Sequence, residues 1–151
     1  MKVRKAHSDD KKAIVALVKA GLSEFGFVYS PQTSEADIEN IDETYIKNGG
    51  AFIVIEQQNE LVATGGLLKL SENKFKIRKM YVSKPYRNQG LGKHILEALL
   101  KEAKLKKAKE VVLETSKMMT KAILLYKSYG FEEIEGSADS PRCDIVMLKK
   151  I

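Results

Sequence analysis

The sequence predicts a single α/β domain over residues 1–151, with a mixed, mostly antiparallel sheet and helices on both faces. Three observations predict it. Apolar runs at Ala51–Glu56, Leu61–Leu70 and Lys74–Val82 are separated by short polar turns, the pattern of an antiparallel meander. A strand ending near Val82, an amphipathic helix over Leu91–Lys104 and an apolar run at Glu110–Thr115 form a strand–helix–strand unit. Such a unit pairs its strands in parallel through a right-handed crossover. Helical periodicity before residue 50 and again near residue 125 supplies the remaining cover.

Each element has its own signal. Residues 2–6 read as a short strand. Ser8 is placed to cap a helix with Asp9 and Asp10 in its first turn, and Ile14, Leu17, Val18 and Leu22 give that helix an apolar face. A second helix is expected from Ser34, with Glu35 and Asp37 near its N-terminus. Ile38, Ile41 and Tyr45 make its stripe, and Asn48-Gly49-Gly50 ends it. Between the two helices, Gly21–Pro31 carries Glu24, Phe25, Phe27 and Tyr29. Aromatic residues in such a loop either line a substrate site, as Phe27 and Tyr29 would, or close the core.

Gln57-Gln58-Asn59-Glu60 reads as a hairpin turn, and Ser71-Glu72-Asn73 turns the chain again. The next strand changes phase. Phe75 and Ile77 are apolar on one parity, Met80 and Val82 on the other, which predicts a bulge between Ile77 and Met80. Leu91, Ile95, Leu96, Leu99, Leu100 and Ala103 form one helical face. Met118, Ala122, Leu125 and Tyr129 mark a short helix stopped by Gly130. Glu132–Glu135 and Ile145–Lys149 read as closing strands joined by Gly136–Asp144.

Composition narrows the function. Apolar residues make up 44% of the chain, enough for a normal core. No run of 18 apolar residues and no signal-peptide pattern occurs, so a cytoplasmic protein without membrane contact is expected. One cysteine, Cys143, excludes an internal disulfide framework, and two separated histidines argue against a zinc centre; no metal is expected. The net charge of +6 is uneven. Residues 1–75 hold 9 Lys/Arg and 11 Asp/Glu, a net of −2, and residues 76–151 hold 17 and 9, a net of +8. An anionic partner on the C-terminal half fits that asymmetry. A nucleic acid would fit too, but no nucleic-acid motif is present. The basic residues 101–109 read as a solvated helix end.

The stretch Met80–Lys93 sits where that charge would be used. A strand ends, Pro85 forces a turn, Arg87 adds a fixed positive charge, and Gly90 and Gly92 precede a helix. The first N–H groups of a helix lack internal partners and carry partial positive charge, so the loop suits a phosphate or pyrophosphate. It is not a Walker loop, because His94 follows Lys93. A dinucleotide fingerprint is also excluded, because no third glycine follows.

Arg87-x-x-Gly90-x-Gly92 resembles the acetyl-coenzyme A pyrophosphate loop of the GNAT superfamily of N-acetyltransferases. Ala122-x-x-x-Tyr126-x-x-x-Gly130-Phe131 resembles the second signature of that family. The resemblance implies a GNAT-like acyl-CoA N-acyltransferase fold and transfer of an acetyl group from acetyl-CoA to a primary amine by direct attack. It implies that the coenzyme is held by Met80, Tyr81, Val82, Arg87, Asn88, Gln89, Gly90, Leu91, Gly92 and Lys93. Met80 and Val82 would do so through their main chain. Tyr126 would serve the leaving thiolate. Many members of the family carry a Glu at the place of Lys76, so Glu24 and Glu114 are the expected candidates for the base. Arg142, the only cation between Lys127 and Lys149, would bind an acceptor carboxylate or pair with Asp139 or Asp144. The alternatives are a coenzyme A-binding module without turnover and a basic nucleic-acid-binding domain. The acceptor amine and the oligomeric state, a homodimer included, stay open.

Overall fold

The computed structural model describes residues 1–151. β1 (Lys2–Lys5) lies antiparallel to β2 (Ala51–Gln57), which continues into the meander β3 (Glu60–Lys69) and β4 (Lys74–Val82). The turn between β2 and β3 puts Gln58 and Asn59 at φ +54° and +59°. Two left-handed residues in a row give a turn whose twist matches the strands it joins. β5 (Glu110–Thr115) pairs parallel with β4, as the strand–helix–strand unit requires. β7 (Ile145–Lys150) and β6 (Glu132–Ile134) complete a seven-stranded sheet of order β1-β2-β3-β4-β5-β7-β6.

Four helices flank the sheet. α1 (Lys11–Ser23) and α2 (Ala36–Glu39) cover one face, where Ile14, Val18, Leu22 and Ile38 pack with Tyr45, Phe52 and Val54. α3 (Leu91–Leu105) and α4 (Thr120–Ser128) cover the other. There Leu91, Ile95, Leu96, Leu99 and Ala103 pack on Ile53, Ala63, Phe75, Ile77, Val111, Leu113 and Met147. Each Leu or Ile so buried contributes about 1.5–3 kcal/mol. No helix is long and apolar enough to cross a membrane.

Three local expectations change. Ser8 does not cap α1. Residues Ser8–Asp10 form a 3₁₀ turn, and the Asp10 carboxylate accepts the His7 N–H at 2.8 Å. Arg4 draws Asp10 inward through 2.7 and 2.8 Å bonds, so the Asp10 carboxylate closes the 3₁₀ turn and α1 has no side-chain cap. The helix expected from Ser34 is broken. It stops at Asn40, and a wider π-type turn over Asp42–Ile46 follows. Ile38 and Tyr45 are still buried, but Glu35 and Asp37 are turned into the protein rather than toward water. Finally, Met118 lies before α4 and is 66% exposed, so it is not part of that helix's apolar face.

Candidate active site

The phase change in β4 is a bulge. Met80 and Val82 pack on the α3 side with Phe75 and Ile77, which requires one inserted residue. The register jumps from Gly66↔Arg78 to Thr64↔Tyr81. Lys79 has φ +56°, a conformation that costs a side-chain-bearing residue about 1–2 kcal/mol. Thr64 Oγ1 donates to the Lys79 carbonyl at 3.0 Å and holds the bulge. Parallel pairing of β4 with β5 runs from Lys74↔Glu110 to Ile77↔Leu113 and ends there. β5 continues to Thr115 paired only with β7. The two central strands therefore part, and the β4 edge over Arg78–Val82 faces no strand.

The loop after β4 sits at the same end. A 3₁₀ turn over Lys84–Tyr86 contains Pro85, Asn88 has φ +63°, and Gly90 has φ +80° as the N-cap of α3. Gly90 is needed for that conformation. A Cβ there would meet no atom within 4 Å, so the space above it is open. None of the main-chain N–H groups of residues 88–93 donates to a main-chain carbonyl; the first helical bond is His94 N–H to Gly90 at 3.1 Å. A run of free donors at the N-terminus of a long helix suits an anion. Asn88, Gln89 and Lys93 are exposed, and Lys121 Nζ donates to Asn88 Oδ1 at 3.2 Å, adding a cation. Leu91 buries its side chain in the core and offers only its main chain.

Arg87 fixes this loop to its surroundings. Its Nε donates to the Val82 carbonyl at 3.0 Å, and its two Nη groups grip Glu24 at 2.7 and 2.8 Å. The Arg87 guanidinium holds the Glu24 carboxyl below its usual range, against the opposing effect of burial. Tyr81 turns its ring to the other face, against α1, where a Cβ at Gly21 would overlap it. Burial pushes the Tyr81 hydroxyl up to about 12.

Tyr126 comes from α4 to the point where β4 and β5 part. Its hydroxyl lies 3.9 Å from Met80 Sδ, a weak acceptor, and its ring meets Phe131 edge-on. Burial pushes Tyr126 up to about 12, so at neutral pH it is a proton donor and not a phenolate. A helix N-terminus with free amides, an unpaired strand edge, a bulge and a buried phenol thus converge on one end of the sheet.

A family model described as "Acetyltransferase (GNAT) family" matches residues 15–131. The chain belongs to the GNAT family. The Escherichia coli K12 protein named "Uncharacterized N-acetyltransferase YjgM" is 29% identical over 158 residues, covering 99% of this chain and 94% of that protein. Human N-acetyltransferase 8B is 31% identical over 103 residues, covering 64% of this chain and 45% of that protein. This chain thus spans nearly all of the bacterial relative and about half the length of the mammalian one. A GNAT acetyltransferase of Staphylococcus aureus Mu50 has the same fold, with TM-score 0.90, 24% identity and coverage of 99% and 98%. The protein is accordingly an acyltransferase of the N-acetyltransferase class.

Within this GNAT fold the expected acceptor-side residues are placed as follows. Glu114 Oε2 accepts from Lys76 Nζ at 2.8 Å and from the Asp139 N–H at 2.9 Å, and its Oε1 accepts from the Ser140 N–H at 3.1 Å. Burial acts to raise Glu114, but Lys76 and the two amides outweigh it and hold it low. Both carboxylates expected as bases, Glu24 and Glu114, are therefore ion-paired. Phe27 is half-buried against the α1 side of the core, while Phe25 is exposed. Tyr29 donates to Glu39 at 2.7 Å, toward α2.

Arg142 pairs with neither Asp139 nor Asp144. Its Nη1 bonds Glu35 Oε2 at 2.9 Å, and its Nη2 bonds the Val28 carbonyl at 2.9 Å and Glu35 Oε1 at 3.3 Å. The guanidinium lies over the Phe27 ring at 5.2 Å. Glu35 thus replaces the partners Asp139 and Asp144 that were expected for Arg142, and an acceptor carboxylate would have to displace it. Sequence reasoning also missed Lys79. Its Nζ donates to the Ser34 carbonyl at 2.8 Å and lies 3.3 Å from Asp37 Oδ1 and 3.5 Å from Glu35 Oε2. The Asp37 contact is an ion pair but not a well-directed hydrogen bond, since Oδ1 has no hydrogen-bond partner. Burial pulls Lys79 below the ordinary lysine value, against the attraction of Asp37 and Glu35. The phase slip located this lysine, but nothing in the pattern gave the direction of its side chain.

Proposed function

We propose that residues 1–151 form one catalytic domain that transfers an acetyl group from acetyl-CoA to the primary amine of a small molecule or peptide by direct attack. The observation that carries this reading is the meeting of the free amides of residues 88–93, the unpaired β4 edge and the Tyr126 hydroxyl at one end of the sheet. The residues fit the coenzyme chemically. Free amides and the α3 dipole suit a pyrophosphate, and an open strand edge suits an amide-bearing arm that adds as a strand. Acetyl-CoA supplies the activated thioester.

The chain's own groups then have distinct tasks. Main-chain N–H groups at the bulge polarise the carbonyl as oxyanion donors. Tyr126 donates its proton, or a hydrogen bond, to the departing sulfur. Holding the amine beside the carbonyl supplies much of the remaining acceleration. With Glu24 tied to Arg87 and Glu114 tied to Lys76, the amine enters neutral or loses its proton through water. A cytoplasmic location goes with this reading.

The test is coenzyme-dependent thiol release against a panel of amino acids, polyamines and peptides with free N-termini. An amine-dependent rate with a mass gain of one acetyl group on the acceptor is expected. Acetyl-CoA binding without turnover on any amine would reduce the protein to a coenzyme-binding module.

A further inference from the structure

Glu35 is fully buried, and a buried carboxylate costs several kcal/mol unless it is paired and hydrogen-bonded. Its partners come from three separate parts of the chain. The Ser30 N–H donates to Oε1 at 2.8 Å from the segment between α1 and α2. Arg142, from the segment between β6 and β7, grips both oxygens. Lys79, the inserted residue of the β4 bulge, lies 3.5 Å from Oε2 and donates to the neighbouring Ser34 carbonyl. Arg142 also reaches back to Val28 and covers Phe27. Lys79 also lies 3.3 Å from Asp37, but Glu35 is the carboxylate that meets Lys79, Arg142 and Ser30 together and so joins the bulge to both loops beside the parted strands.

We propose that Glu35 is a positioning residue for acetyl transfer, locking the Lys79 bulge and the Arg142 loop into one arrangement. This rests on the acetyltransferase reading above. A residue that only filled space would need no charge here. An apolar side chain of similar volume would avoid the cost of burying a carboxylate. What the charge provides is a fixed geometry between segments far apart in sequence. Glu35 touches no reacting atom; it acts through Lys79 and Arg142.

The chain offers a built-in reporter. Cys143 is the single cysteine, is half-buried, and follows Arg142 directly. Three readouts are compared between wild type and Glu35→Gln: alkylation of Cys143 by iodoacetamide, thiol release from acetyl-CoA driven by hydroxylamine, and acetyl-CoA affinity by calorimetry. Hydroxylamine is a small neutral nucleophile that needs no acceptor pocket, so the enzyme-dependent part of its rate, after subtraction of the direct cleavage of the thioester without protein, reports on the bulge. Alkylation reports on the loop and needs no coenzyme.

In Glu35→Gln, alkylation is expected to speed up about tenfold and hydroxylamine turnover to fall about tenfold, with the acetyl-CoA Kd changed less than about threefold. Arg142→Gln should reproduce the alkylation effect and Lys79→Gln the turnover effect. The Glu35→Gln/Arg142→Gln double variant should alkylate no faster than the faster single. If Glu35→Gln does not fold, the Arg142 and Lys79 variants decide by the same readouts. Wild-type alkylation and turnover in the variants overturn the proposal, as does a Kd that weakens in step with the lost turnover. A wild type that binds no acetyl-CoA overturns the acetyltransferase reading instead, and this proposal with it.

Discussion

Arg87 and Glu24 form a two-pronged ion pair, with Nη1–Oε2 at 2.7 Å and Nη2–Oε1 at 2.8 Å. The pair ties the loop before α3 to the residue that follows α1, while Arg87 Nε holds the end of β4. Arg87 is thus partly neutralised before any ligand arrives. Arg87→Ala should weaken acetyl-CoA binding by about tenfold, because it removes charge and loosens the loop. Glu24→Gln should leave turnover within about threefold, because an arginine-bound carboxylate is a poor base. Calorimetry and initial rates check the two. A Glu24→Gln enzyme slowed by orders of magnitude would restore Glu24 as the base.

The two glycines of the loop should respond differently. Gly90 has φ +80°, so Gly90→Val should cost about 1–2 kcal/mol of stability as well as coenzyme affinity. Gly92 has no positive φ, and a Cβ there meets only Leu125 at 3.7 Å. Gly92→Val should therefore fold normally and lose affinity alone. Thermal melts with and without acetyl-CoA separate the outcomes.

Tyr126→Phe keeps the ring against Phe131 and removes the hydroxyl near Met80. Turnover is expected to fall about a hundredfold, with acetyl-CoA affinity unchanged. Because burial lifts Tyr126 to about 12, it stays protonated through the working range. The wild-type rate should then rise with pH as the acceptor amine deprotonates and show no falling limb up to about pH 10. A wild-type rate of acetyl transfer in the variant, measured before the steady state, would leave the tyrosine as packing.

The Arg4–Asp10 pair makes acid stability testable. Arg4 holds Asp10 below its ordinary value, against burial, with help from the His7 N–H. A carboxyl with a depressed folded-state value stabilises above its unfolded value of about 3.9 and loses that contribution as pH falls through the folded value. Asp10→Asn should lower the melting temperature at pH 7. The gap from wild type should narrow below about pH 4. A gap that stays constant down to pH 2, about two units lower, would show that Asp10 is not the group that titrates.

Much of this molecule can be read from local pattern. The alternation in residues 51–82 gives the meander, and its slip between Ile77 and Met80 gives the bulge. The apolar face from Leu91 to Ala103, with Gly90 before it, gives the helix whose N-terminus opens on the site. Tyr126 stands out only because Ala122-x-x-x-Tyr126-x-x-x-Gly130-Phe131 resembles the second signature of the family. The strand and helix signals are legible because a strand or helix repeats one rule over many residues, so each apolar position reinforces the next. The charged residues obey no such rule. Glu35 and Asp37 read as acids favouring a helix start, yet both are buried. Lys79 and Arg142, 44 and 107 residues beyond Glu35, supply the compensating charge. Likewise Glu24, expected as a free base, is claimed by Arg87, and Glu114 by Lys76. Local pattern determined the meander, the bulge and the two long helices, and the residues Arg87, Gly90 and Gly92 marked the loop before α3. Only the tertiary structure decided which charge meets which, because an ion pair is a single contact between distant segments and leaves no repeat in the sequence that encodes it.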